Sequence, residues 1–196
     1  LFAIKSDELL GVYLPDELRS LKETYNEYVT KVSTPAWAIS WEMVVLLEKL
    51  QKMFKPKRIL DLGSGFSSYV FRRHNAEVTS VDMDSEWLKK TKNFLEKYDI
   101  NTDNLFPSKD FKFNGMYDLI LLDIGRAEKD RAPYFKQIRD HCSGMIVFDD
   151  MQVEDYRVQI ARFFKDDLIL DLRDETLDSI ERFAWAIVPR RVDEDA

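Results

Sequence analysis

The run Arg58-Ile59-Leu60-Asp61-Leu62-Gly63-Ser64-Gly65-Phe66-Ser67-Ser68 decides the fold. A short apolar segment ends in an acid and passes straight into Gly-Ser-Gly. Glycine carries no Cβ, so such a turn can bend sharply and bring backbone close to a ligand. The amides of the turn, and of the helix start beyond it, suit an anionic group such as a carboxylate or phosphate. The run therefore predicts a β-strand over 58–62 with a small-molecule site at its carboxyl end. A plain strand-to-helix connection shows the same two glycines, so the neighbouring segments must decide between the two.

On both sides of the turn the apolar periodicity changes element by element. A helix is expected over 15–32, with Leu18, Leu21, Tyr25 and Tyr28 on one face, broken by Ser33-Thr34-Pro35. Ser40 can cap a second helix from Trp41 to about Phe54, ended by Lys55-Pro56. After strand one, helices are expected over 68–75, over 85–98 (capped by Ser85), over 129–141 and over 153–164. Strands are expected over 77–82, weakly over 104–107, over 117–123 and over 145–148. The 117–123 segment is almost wholly apolar, as a central parallel strand should be. Gly63, Gly65, Gly115, Gly125 and Gly144 flank predicted strands one, four and five; Gly11 lies elsewhere.

A run of βα units implies a mostly parallel sheet covered on both faces, an α/β three-layer sandwich. The chain's end departs from strict alternation. Segments 168–172 and 183–188 both read as strands, and the roughly ten mostly polar residues between them are too few for a crossover helix and its turns. They should pair antiparallel, giving a seven-stranded sheet whose last strand is antiparallel. We divide the chain into an N-terminal helical cap region (1–55), a sheet-bearing region (56–190) and a charged tail (191–196), together one compact domain.

Composition excludes several classes. The formal net charge of -7, from 29 basic and 36 acidic residues, disfavours a general nucleic-acid or membrane-surface binder, which needs a basic field. The single Cys142 cannot close an internal disulfide, so a reducing, cytoplasmic setting is expected. No apolar run approaches the ~18 residues of a membrane span. The start shows no secretory pattern, and Leu1 is not a methionine, which leaves an upstream segment open.

With these residues in hand, the chain resembles the class I S-adenosylmethionine-dependent methyltransferases over roughly residues 35 to 189. Ile59–Gly65 resembles their first motif, Val78–Asp82 their second strand with its terminal acid, and Tyr117–Asp123 and Gly144–Asp150 their fourth and fifth strands. A nicotinamide-binding Rossmann domain keeps its strands parallel and usually carries a third glycine; here Ser68 holds that place. The resemblance implies a cofactor site of Asp61, Gly63, Ser64, Gly65, Ser67, Asp82, Met83, Asp110 and Asp123. Asp82 is its ribose binder in preference to Asp84, and Asp110 or Ser108 meets the adenine. Whether Asp61 orders the turn or meets the cofactor's amino group is open in the sequence.

The pair Asp149-Asp150 is the second distinctive feature. Adjacent carboxylates repel each other, and Asp123 ends the neighbouring strand. This resembles the metal-dependent small-molecule O-methyltransferases. The resemblance implies Asp123, Asp149 and Asp150 as ligands of Mg²⁺ or another divalent cation, with Asp123 and Asp149 catalytic. A polar strand end with one acid capping the next helix is the simpler alternative. Sugar-modifying relatives tend to carry a general base two residues after the strand-four acid. Here that position is Gly125, and the base is unassigned, with Glu128 and Lys129 nearby. Trp37, Ser40 and Trp41 can roof the site or simply pack on the core. His74 and His141 read as surface or helix-end residues. Arg126, Lys129 and Arg131 read as a solvated helix start or as contacts to an acidic acceptor. The expectation is transfer of a methyl group to an oxygen of a small molecule, in a protein with no nucleic-acid or membrane partner, for which a homodimer is one admissible state. A nucleotide-binding oxidoreductase and a non-catalytic member of the same scaffold are the alternatives.

Overall fold

The computed structural model describes residues 15–127 and 129–190. The tail 191–196, Gly11 and Glu128 lie outside the described residues. In chain order the elements are α1 (Pro15–Lys31), α2 (Trp41–Phe54), β1 (Arg58–Leu62), α3 (Phe66–Arg72), β2 (Glu77–Asp82), α4 (Ser85–Lys97), β3 (Leu105–Pro107), β4 (Tyr117–Leu122), a 3₁₀ turn (Ala132–Tyr134), α5 (Phe135–Asp140), β5 (Cys142–Phe148), α6 (Glu154–Phe163), β6 (Leu168–Asp171), α7 (Arg173–Thr176) and β7 (Trp185–Val188).

All seven strands form one sheet in the order β3-β2-β1-β4-β5-β7-β6. β1 pairs in parallel with β2 and β4, and β4 with β5. β7 runs antiparallel to both β5 and β6, so the terminal hairpin forms as its short connection requires.

Alternate residues along each strand face opposite layers. Ile59, Leu119, Leu121, Val147 and Ala186 pack beneath α1, α2, α3 and α4, with Leu21, Tyr25, Tyr28, Met43, Leu47 and Phe94. Leu60, Leu62, Ile120, Leu122, Ile146 and Phe148 pack against α5 and α6 through Phe135, Ile138, Tyr156 and Ile160. The N-terminal helices therefore share one core with the sheet.

Local chemistry sets the helix ends. Ser40 caps α2 as expected, its hydroxyl accepting from the Met43 amide at 3.0 Å. The cap of α4 is Asp84, not Ser85: its carboxylate accepts from the Glu86 and Trp87 amides at 2.8 and 3.3 Å. An acid there also complements the positive end of the helix dipole. The helix expected over 129–141 is shorter. Pro133 has no amide hydrogen to donate, so the segment begins as a 3₁₀ turn and becomes α-helical only at Phe135.

Candidate active site

The sheet reverses its winding between β1 and β4, the position where ligands bind beyond the carboxyl ends of the strands in open α/β sheets. There the Gly63–Gly65 turn comes against the segment after β4. Gly63 has φ +112°, and a Cβ built on it would lie 2.6 Å from the carbonyl carbon of Asp123. The Asp123 amide in turn donates to the Leu62 carbonyl at 2.7 Å. Only glycine permits this contact, which fixes Asp123 beside the turn.

The turn's amides are taken up by groups of the chain itself. Gly63 N–H donates to the Val81 carbonyl at 2.9 Å, Ser64 N–H to Asp82 at 2.9 Å, and Gly65 N–H to the Ser68 hydroxyl at 3.3 Å. The end of β2 has captured the loop, and what the turn offers a ligand is close approach. Asp82 Oδ2 accepts from the Ser64 amide and hydroxyl, and among the described residues Oδ1 accepts only from the Asp84 amide. A carboxylate offers about four lone-pair sites, so Oδ1 can still accept one hydroxyl.

Asp61 lies beneath the turn and is fully buried. Its two oxygens accept the hydroxyls of Ser67 (2.8 Å), Ser68 (2.5 Å) and Ser80 (2.9 Å). Burial raises its pKa to about 6, against the opposing hydrogen bonds of these serines. Asp61 and Ser67 are thus engaged with each other in ordering the turn. Of the other expected cofactor contacts, Gly63, Ser64, Asp82 and Asp123 line the cleft over the turn. Met83 and Asp110 are exposed and do not line that cleft.

Two chambers meet here. The first, of about 180 Å³, lies between Gly63, Ser64, Asp82, Trp87 and Asp123. The second, of about 230 Å³, lies between Asp123, Arg131, Asp149, Asp150 and Arg182. Trp37, Asp123 and Gly125 border both. Trp37 is 73% exposed, an indole spent on roofing the clefts rather than on the core. A larger cavity of about 560 Å³ lies at the other end of the sheet, beside Asp118 and Gly144 at the starts of β4 and β5. It is mostly apolar, and none of Asp82, Asp123, Asp149 and Asp150 lines it.

The expected divalent-metal set of Asp123, Asp149 and Asp150 is not formed. The guanidinium of Arg131 stands between two of the three acids, with Nη2 2.8 Å from Asp123 Oδ1 and 2.7 Å from Asp150 Oδ2. Its Nε donates to the Ile124 carbonyl and its Nη1 to the Asp149 carbonyl, both at 3.1 Å. Its guanidinium carbon lies 5.4 Å from the centroid of the Tyr156 ring. Burial opposes the charge on this arginine, but Asp123, Asp150 and Asp149 more than offset that, and its pKa is raised. Among the described residues, no group of three or more His, Cys, Asp or Glu side chains is arranged to hold a metal ion. The repulsion between adjacent acids, which in the sequence pointed to an added cation, is offset in part by a cation from within the chain.

Asp149 remains. It is 4% exposed and borders the second chamber. Burial and then the neighbouring Asp150 raise its pKa to about 7. Near neutral pH this carboxyl can take up a proton or release one. Gly125, where the base was looked for, has φ +57°, and a Cβ there would lie 2.7 Å from the Asp130 Cβ. That position is committed to a tight turn.

Sequence reasoning missed the roles of Trp87, Arg131 and Arg182. The Trp87 indole donates to the Ser64 carbonyl at 2.7 Å, closing one side of the glycine turn. Its place, three residues past the capping acid, was the available signal. For Arg131 the signal was the cluster of acids itself, which needs a cation, in a chain that supplies arginines just after β4. His74 and His141 have the expected modest roles, His74 against buried Glu48 at 2.9 Å and His141 at the end of α5.

No protein-family profile and no curated protein matches the chain. Solved structures do. An SAH-bound methyltransferase of Podospora anserina superposes with a TM-score of 0.67 at 16% identity, over 97% of this chain and 98% of its own. An O-methyltransferase of Bacillus cereus in complex with SAH gives 0.60 at 18% identity, over 95% and 93%. An O-methyltransferase of Streptomyces achromogenes involved in tomaymycin synthesis, in complex with SAM, gives 0.61 at 14% identity, over 91% and 92%. The chain has the class I methyltransferase fold across nearly its whole described length.

Proposed function

We propose that this protein transfers a methyl group from S-adenosylmethionine to an oxygen of a small molecule. The observation that carries this reading is the pair of adjoining chambers sharing Asp123, Gly125 and Trp37, one ending on Asp82 and the other on Asp149. The first fits the cofactor: Gly63 lets the segment after β4 close against the turn and so shapes the chamber wall, and Asp82 Oδ1 keeps acceptor capacity for a ribose hydroxyl. When bound, S-adenosylmethionine supplies an electrophilic methyl group on a sulfonium. The chain supplies alignment and proton management. Asp149 takes the proton from the acceptor hydroxyl as its oxygen becomes nucleophilic, Arg131 fixes Asp123 and Asp150, and Trp37 excludes water from above. Solved structures of the same fold hold SAH or SAM, which supports the cofactor assignment. The expected help from a divalent metal is not part of this reading.

Calorimetric titration tests it. S-adenosylmethionine should bind and NAD should not, and Asp82→Asn should weaken the former by about tenfold, the loss of one charge-assisted hydrogen bond. Binding of NAD instead assigns a redox function. Tight cofactor binding with no methyl transfer to any phenol, sugar or carboxylic acid in a broad panel assigns a non-catalytic one.

A further inference from the structure

We infer that Arg131 is a resident cation that keeps divalent metals out of this chain's acidic cluster and holds Asp123 and Asp150 in their place. Three independent observations carry it. First, the guanidinium is anchored on several sides: it bonds side chains of Asp123 and Asp150 and backbone carbonyls of Ile124 and Asp149. Second, the arginine is 2% exposed and faces the Tyr156 ring, so it is built into the core beneath α6. Third, the backbone conforms to it. Asp150 has φ +64°, an uncommon conformation for a residue with a Cβ, and in it the Asp150 carboxylate meets the arginine.

The energetics separate an arginine from a metal here. A hard divalent ion needs several oxygens free to converge on it. In this cluster Asp123 Oδ1, Asp150 Oδ2 and the Ile124 and Asp149 carbonyls already accept from one guanidinium. An incoming ion would have to displace a buried cation and strand it away from its acids, which is strongly unfavourable. Arginine also loses no charge at any accessible pH, so the exclusion does not relax on acidification or alkalinisation.

This inference concerns ion binding and stands apart from the proposed methyl transfer. Its test is titration with Mn²⁺, followed by the electron paramagnetic resonance signal of the free ion, on the full chain without cofactor. The wild type should show no saturable binding. Arg131→Ala, which leaves the oxygens facing an empty space, should gain a single site, tighter than any wild-type binding by on the order of a hundredfold or more once the competing unit charge is gone. Arg131→Lys keeps a charge in the cluster and should, like the wild type, show no site. Saturable Mn²⁺ binding by the wild type that Asp150→Asn removes would overturn the inference. A folded Arg131→Ala protein that gains no site would overturn it equally. Circular dichroism reports whether Arg131→Ala folds; where it does not, the wild type, Asp150→Asn and Arg131→Lys carry the same decision.

Discussion

Two buried acids at this site differ in what they accept, and the difference sets how each responds to pH. Asp61 is enclosed by three serine hydroxyls, and burial still leaves its pKa raised to about 6. A carboxyl whose folded pKa lies above its unfolded value binds its proton more tightly when folded. Its contribution to stability is therefore full below about pH 4 and is lost as pH rises through about 6. Asp61→Asn cannot titrate. The stability of the wild type relative to this variant should fall between pH 4 and 7 by roughly 3 kcal/mol, read from urea denaturation; parallel curves would refute the assignment. Asp149, raised to about 7, has the same sign for stability but the opposite consequence for the proposed chemistry. It accepts a proton only when ionised, so methyl transfer should rise with pH through about 7. Asp149→Asn should lose that limb along with most of the rate, while cofactor affinity changes little.

At the scale of elements, the first turn answers for its own sequence. Gly63→Ala would force a side chain into a positive-φ position and onto the Asp123 backbone. The expected loss is about 2 kcal/mol or more, visible as a lower midpoint in thermal unfolding, together with weakened cofactor binding as Asp123 is pushed from the turn. Ser40→Ala, which removes the α2 cap, should cost about 1 kcal/mol and leave cofactor affinity alone. Elements whose fate depends on near neighbours were legible in the sequence: the glycine turn, the apolar β4, the Ser40 cap, the hairpin forced by its short connection. The fold class, a mostly parallel seven-stranded sheet with its last strand antiparallel, followed from these. What escaped depends on partners distant in sequence. Asp84 and Ser85 are both good caps, and the choice falls to Asp84, whose own amide is held by the Asp82 carboxylate two residues earlier, itself bound to Ser64. The turn amides seemed free until β2 was placed beside them. Arg131 looked like a solvated helix start because nothing nearby in sequence shows that its side chain reaches back to Asp123 and forward to Asp150.

For the whole molecule, one side chain joins parts of the chain that lie far apart. Arg182, on the connection between β6 and β7, donates to the carbonyls of Ala38 at 2.9 Å and Pro35 at 3.0 Å and is itself held by Asp178 at 2.7 Å. The terminal hairpin thus grips the segment that carries Trp37, the residue bordering both chambers. An exposed indole on a segment between helices has few apolar contacts to hold it, so its position rests on these backbone hydrogen bonds. Arg182→Met keeps an apolar stem but loses the grip. The expected result is faster amide hydrogen exchange over 34–38, together with some loss of global stability because Asp178 is left without its partner. In the proposed reaction the KM for the acceptor should rise by about tenfold or more as the two hydrogen bonds to the Trp37 segment are lost, and S-adenosylmethionine affinity should shift less. Arg182 touches no reacting atom in this scheme and acts through the roof. A variant with unchanged exchange over that segment but impaired transfer would instead place the guanidinium in direct contact with the acceptor.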